Sequence, residues 1–186
     1  MENIVNKTLI LAAVAATVVA TPAFAQTSPA APAGPRVEAL VGYDSAKALG
    51  ETDDGVLYGI GAGYDFAVGN GVSLGVDAEA TDSTQKFGND TVYVKSGRDL
   101  YAGGRVSYAV SDRANIYLKG GYTNARFKAS DGVITAADNV DGWRLGAGAQ
   151  FNLTGKAYVG GEYRFSSYEG GDLKRHQVAL TLGTRF

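Results

Sequence analysis

QVALTLGTRF, residues 177–186, is the stretch whose reading decides the fold. Val178, Leu180, Leu182, Thr184 and Phe186 recur at every second position, while Gln177, Ala179, Thr181, Gly183 and Arg185 fill the places between. Alternation with period two puts the two sets on opposite sides of a β-strand. A strand with one mostly apolar face needs cover on that face and a hydrogen-bonding partner at each edge. In an exported chain the cover can be lipid, and the far edge can be closed by the first strand of the same sheet.

Working back from this strand, seven more alternating segments precede it, each close to the length a tilted strand needs to cross a hydrocarbon layer. They run over 37–43, 56–66, 72–80, 100–110, 115–124, 142–151 and 157–165. The sixth is the cleanest, with Trp143, Leu145, Ala147, Ala149 and Phe151 set against Arg144, Gly146, Gly148 and Gln150. The connections 67–71, 111–114 and 152–156 are short, whereas 45–55, 81–99, 125–141 and 166–174 are long and polar. Short and long alternate, so the long loops are expected at one end. Residues 91–95 alternate again within the second long loop, which suggests strands continuing above the membrane. No proline occurs after Pro35, as expected where nearly every backbone N–H belongs to a ladder.

Composition narrows the field. The 186 residues are one domain's worth and include no cysteine, which removes disulfides and thiolate metal sites. A formal charge of −2 offers no grip for nucleic acid. The N-terminus reads as an export address: Lys7, then the apolar run 9–20, then Ala23-Phe24-Ala25 as the cleavage pattern. The expected organisation is a signal peptide over 1–25, a solvated leader over 26–35 containing Pro29, Pro32 and Pro35, and the barrel over 36–186.

Which face looks outward is set by three features. The polar face is rich in glycine, which fits a narrow lumen where small positions accommodate large neighbours. It carries Glu38, Asp77, Glu79 and Glu162 together with Arg105, Lys119, Arg144, Arg164 and Arg185, an expected lumenal charge network in which opposite signs neutralise one another. The apolar face is edged by an expected aromatic girdle at two levels. Phe66, Tyr108, Phe151 and Phe186 lie on the short-turn side, and Tyr43, Tyr58, Tyr122, Trp143 and Phe165 toward the loops. The expected fold is therefore all-β, an eight-stranded antiparallel up-and-down transmembrane barrel.

Gly160-Gly161-Glu162-Tyr163-Arg164-Phe165, followed by the last strand to Arg185-Phe186, resembles the small outer-membrane β-barrel proteins of Gram-negative bacteria. These are the opacity or porin-family barrels related in shape to OmpX and the OmpA transmembrane domain. The resemblance implies residence in the outer membrane among lipid and lipopolysaccharide, and handling by the barrel-assembly machinery through Phe186. It further implies a monomer, a structural role in the envelope, and loops that meet an unidentified ligand. A narrow low-conductance channel is the alternative, and a lipid-modifying enzyme a more distant one.

No catalytic, cofactor or metal residues are expected. His176 is the only histidine, and Ser166, Ser167 and Glu169 are the residues that could approach it as a hydrolytic group. The loop acids Asp53, Asp54, Asp131, Asp138 and Asp141 fit no calcium-loop spacing and read as solvated charge.

Overall fold

The structure, a computed structural model, describes residues 29–48, 51–88, 93–130, 135–153, 156–169 and 173–186. The export segment and the start of the leader lie outside the described residues. Nine strands follow one another: β1 (Gly34–Ala48), β2 (Glu51–Gly69), β3 (Val72–Ser83), β4 (Lys86–Gly88), β5 (Tyr93–Ala109), β6 (Ala114–Ser130), β7 (Thr135–Asn152), β8 (Ala157–Tyr168) and β9 (Lys174–Arg185). They form eight positions in a closed wall, because β3 and the three-residue β4 both pair with β5. Every pairing is antiparallel between chain neighbours except the closing one, β1 with β9, which runs from Arg36↔Arg185 to Lys47↔Lys174.

The strands are longer than the apolar alternation indicated, mostly toward the loop end, with β1 and β2 also extended by three residues at the short-turn end. The ladder between β6 and β7 extends to Ser130↔Thr135, and that between β1 and β2 to Ala48↔Glu51. Most of the long polar connections expected from the sequence are therefore strand. Their outward residues turn polar where the wall leaves lipid, so the apolar period fades while the hydrogen-bond ladder continues.

The polarity of the wall is inverted relative to a water-soluble protein. The largest fully buried side chains include Arg36, Arg144, Arg164 and Arg175, while Ile60, Leu118, Leu180 and Leu182 are exposed. Soluble monomers rarely carry continuous apolar patches beyond a few hundred Å². Here the apolar band encircles the barrel, a surface that lipid covers and water does not.

The leader is not free of the barrel. At Gly34 the backbone takes φ of +100°, and an added Cβ would strike the Phe186 carbonyl oxygen, so only glycine makes this turn comfortably. The Phe186 amide in turn donates to the Pro35 carbonyl at 2.9 Å. Beyond the turn Pro32 is buried, and the Pro29 carbonyl oxygen lies 3.3 Å from where a Cβ on Gly71 would sit, on the β2–β3 turn. Ala30 to Ala33 roof a cavity of about 220 Å³ whose floor includes Asn115, Asn152 and Arg185. The expectation of a solvated leader is thus corrected: from Pro29 onward it crosses the short-turn mouth. Because the chain has no cysteine, an Asn115→Cys variant offers a clean probe. A polar thiol reagent is expected to label it several-fold faster once residues 29–33 are deleted, and equal rates would contradict the cover.

Candidate functional site

Ion pairs fill the interior in three tiers, the mouth tier meeting the middle one where the Arg105 guanidinium lies 4.0 Å from the Tyr117 ring centroid. Nearest the short-turn mouth, Arg36 bridges Asp65, at 3.1 Å, and Asp77. Arg105 reaches Asp77 at 2.9 Å, Arg185 reaches Asp65 at 3.0 Å, and the Tyr158 hydroxyl donates to Glu38 at 2.8 Å. In the middle, Lys119 pairs with Glu79 and, at 2.7 Å, with Glu162, which also accepts from Arg164 and from the Tyr117 hydroxyl at 2.6 Å. Toward the loops, Asp99 takes Arg144 at 2.5 Å and Arg175 at 3.3 Å, with hydroxyl bonds from Thr123 and Tyr168. Arg175 in turn clasps Asp44.

Among the described residues this set holds seven acids (Glu38, Asp44, Asp65, Asp77, Glu79, Asp99, Glu162) and seven bases (Arg36, Arg105, Lys119, Arg144, Arg164, Arg175, Arg185). The balance matters because a buried charge without a partner costs several kcal/mol, roughly, whereas a paired and hydrogen-bonded one is tolerated. Spacing is provided by the small residues facing inward. A Cβ on Gly148 would come within 2.5 Å of the Tyr117 hydroxyl, so that ring lies in the gap which the glycine leaves.

The nine charges singled out from the sequence all face this interior, and all are buried except Arg185, which is part-buried. Sequence reasoning missed Arg36, Asp44, Asp99 and Arg175, each just outside the strand limits drawn from apolar alternation. It also left Asp65 and the inward tyrosines out of the network. Carrying the period of two another two residues along each strand would have reached all of the missed charges. Gln85, in the break between β3 and β4, was missed as well; it is buried and donates to the backbone carbonyls of Asp44 and Asp53.

The aromatic residues take the other side of the wall. Trp143 is 48 %, Phe151 46 % and Phe186 60 % exposed, and Tyr43, Tyr58, Phe66, Tyr108 and Tyr122 are comparably open. Phe165 is half-buried against Trp143, with ring centroids 5.4 Å apart. Just past the loop-side aromatics, tyrosine hydroxyls secure two carboxylates. Asp54 is held below the ordinary carboxylate range by bonds from Tyr43 and Ser45, and Asp141 likewise by Tyr122 and Asn124. Asp138 accepts from the Asn139 amide, Asp53 is half-buried, and Asp131 lies outside the described residues. Among the described residues no group of three or more histidines and acids is placed to hold a metal ion.

The wall separates His176 from Ser166. His176 faces outward, with its Nδ1 2.6 Å from the Tyr163 hydroxyl, while Ser166 faces the lumen and accepts from Arg144 Nε at 2.9 Å. Ser167 is in register with Lys174 rather than with His176, and Glu169 is exposed.

A family model for the outer membrane protein beta-barrel domain matches residues 11–186. The chain belongs to that family. This outer-membrane barrel is 28% identical over 125 residues to the 25 kDa outer-membrane immunogenic protein of Brucella ovis, an alignment that covers 67% of the chain and 61% of the relative. The chain thus spans about three fifths of that relative's length. Among solved structures, Neisserial surface protein A superposes with a TM-score of 0.66 at 15% identity, over 82% of this chain and 97% of that one. Ail, the attachment invasion locus protein of Yersinia pestis, gives 0.64 at 17% identity, over 83% and 100%. The barrel crosses the outer membrane of a Gram-negative envelope with its strands.

Asp99 gathers more partners than any other interior acid among the described residues; its loss leaves Arg144 with only Glu79, 3.7 Å away, while Arg175 keeps Asp44. Asp99→Asn is expected to lower the stability of the refolded barrel by about 3–5 kcal/mol, read from its denaturant midpoint. Combining it with Arg144→Met is expected to recover part of that loss, because the arginine that lost its close carboxylate is then removed.

Proposed function

We propose that this barrel is a structural component of the outer membrane, with a lumen closed to ions and with strand extensions that carry surface interactions. The observation that carries the reading is the balanced network across the lumen, in which each charged side chain is engaged by others on different strands. An eight-stranded interior is only wide enough for side chains to fill it. Moving an ion through would require breaking several buried pairs at once. The leader beneath the short-turn mouth adds a second obstruction. The reading is non-enzymatic: the only histidine and the nearest interior serine sit on opposite faces of the wall.

In this reading the outward aromatics form belts at the two membrane interfaces, and lipid with lipopolysaccharide is the standing partner. Residues 1–25 direct export and are removed. Phe186, outward at the end of β9, serves the assembly machinery as its recognition residue. The barrel works as a monomer without a cofactor. Strands continuing beyond the loop-side belt give it a raised rim suited to adhesion.

The rival reading, a narrow channel, makes the opposite statement about the lumen. Purified, refolded protein in planar bilayers is expected to stay electrically silent across the voltage range at neutral pH. Reproducible unitary steps, absent from a mock preparation, would replace the structural reading with the channel.

A further inference from the structure

On the outer wall just past the loop-side aromatics, the closing pair of strands presents a rung of like charges. Lys47 on β1 and Lys174 on β9 are direct register partners, and both are exposed. Like charges set directly opposite on antiparallel strands repel and destabilise the pair. On the flanking strands Lys47 is in register with Thr52 of β2 and Lys174 with Ser167 of β8. Two exposed acids stand one rung away: Asp54, already hydrogen-bonded by Tyr43 and Ser45, and Glu169, two residues past Ser167. Among the described residues neither lysine enters an ion pair.

The next rung toward the membrane pairs Ser45 with His176. The His176 ring rests 5.0 Å from that of Phe165, and the Tyr163 hydroxyl occupies its Nδ1, which leaves Nε2 open. Below lie Tyr43, Tyr163 and Phe165, an apolar floor continuous with the lipid-facing band. Lys47 is four residues beyond Tyr43. At roughly 3.3 Å per residue and a tilt of about 40°, that places it about 10 Å above the belt, within reach of the headgroups for a long, bendable side chain. Around the rest of the wall at this level the outward residues include Asp54, Asp82 and Asp141, with Arg98 on β5 beside Arg126 on β6 as the other exposed bases. The sector over β8, β9 and β1 is set apart by what lies beside its two bases, His176 and the Tyr163–Phe165 floor.

We propose that this sector binds the phosphate of a phosphorylated glycolipid in the outer leaflet. Lys47 and Lys174 supply the charge, while His176 Nε2 and the Ser167 hydroxyl supply hydrogen bonds. Two adjacent lysines match a phosphate monoester, with its charge of about −1.5 to −2, better than the single charge of a phospholipid diester. The aromatic floor favours a lipid over a soluble anion, which would leave that floor unused. The inference rests on the outer-membrane placement of the wall and not on the state of the lumen, so bilayer recordings neither support nor harm it.

Native mass spectrometry of the mature barrel in detergent tests it, with bisphosphorylated lipid A, enzymatically dephosphorylated lipid A and phosphatidylglycerol as the three probes. Wild-type protein is expected to retain the bisphosphorylated form preferentially. The double variant Lys47→Gln with Lys174→Gln is expected to bind it about tenfold less well, while Arg126→Gln stays at the wild-type level. All three proteins should keep heat-modifiable gel migration, because the altered residues are exposed. Equal retention of dephosphorylated lipid A or phosphatidylglycerol, or an unchanged affinity in the double variant, would overturn the proposal.

Discussion

Pairing of β1 with β9 removes the last open strand edge, and in hydrocarbon that removal is obligatory. An unsatisfied amide or carbonyl facing lipid costs several kcal/mol, roughly, and no water is present to relieve it. Once the ladder is closed, the direction of every side chain follows from the pleat, because successive residues must point to opposite sides. Closure also gathers the two ends of the barrel at one mouth. Gly34, Pro35 and Phe186 form the joint there, with the Phe186 amide bonded to the Pro35 carbonyl.

The closed wall leaves a narrow interior, and its content is the second consequence. The interior holds almost no large aliphatic side chain besides Leu40 and Leu57. Packing is achieved instead by arginines, acids and tyrosines, several of which, Arg36, Tyr101, Tyr117 and Tyr158 among them, occupy space that inward glycines leave open. Such a core gains little from the hydrophobic effect, which operates on the outside of this protein through lipid. Its specificity lies in matching: Asp99 draws residues from β5, β6, β7, β8 and β9 to one point, and Glu79 and Glu162 together hold Lys119 and Arg164. A register slip of one residue would turn these charges into lipid.

Much of this was legible in the sequence. Period-two alternation located all eight wall positions, and the contrast between Trp143 or Phe151 and their neighbours Arg144 or Gln150 assigned the faces. What escaped had a common physical origin. Apolar alternation reports only the part of a strand in contact with lipid, so Asp44, Asp99 and Arg175 fell outside the strand limits although they complete the interior. The proline-bearing leader looked too polar and too plain to pack, yet Pro32 finds cover beneath the mouth. His176 and Ser166 seemed near in sequence across a turn, but neighbouring strands put them on opposite sides of the wall. The β3–β4 break carries no signal that propensity would notice, and Gln85 reaches across only because the ladder is interrupted there.

The account stands or falls on which side of the wall meets acyl chains, and the single tryptophan reports on that without any substitution. The direct measurement is quenching of Trp143 fluorescence in reconstituted vesicles by phospholipids brominated at successive chain positions, alongside aqueous iodide. Strong quenching by bromine near the headgroup end of the chain, fading toward the bilayer centre, with little effect of iodide, is the expected outcome. Indifference to brominated lipid at every depth would mean that Trp143 faces the lumen or water, and would contradict the fold as described.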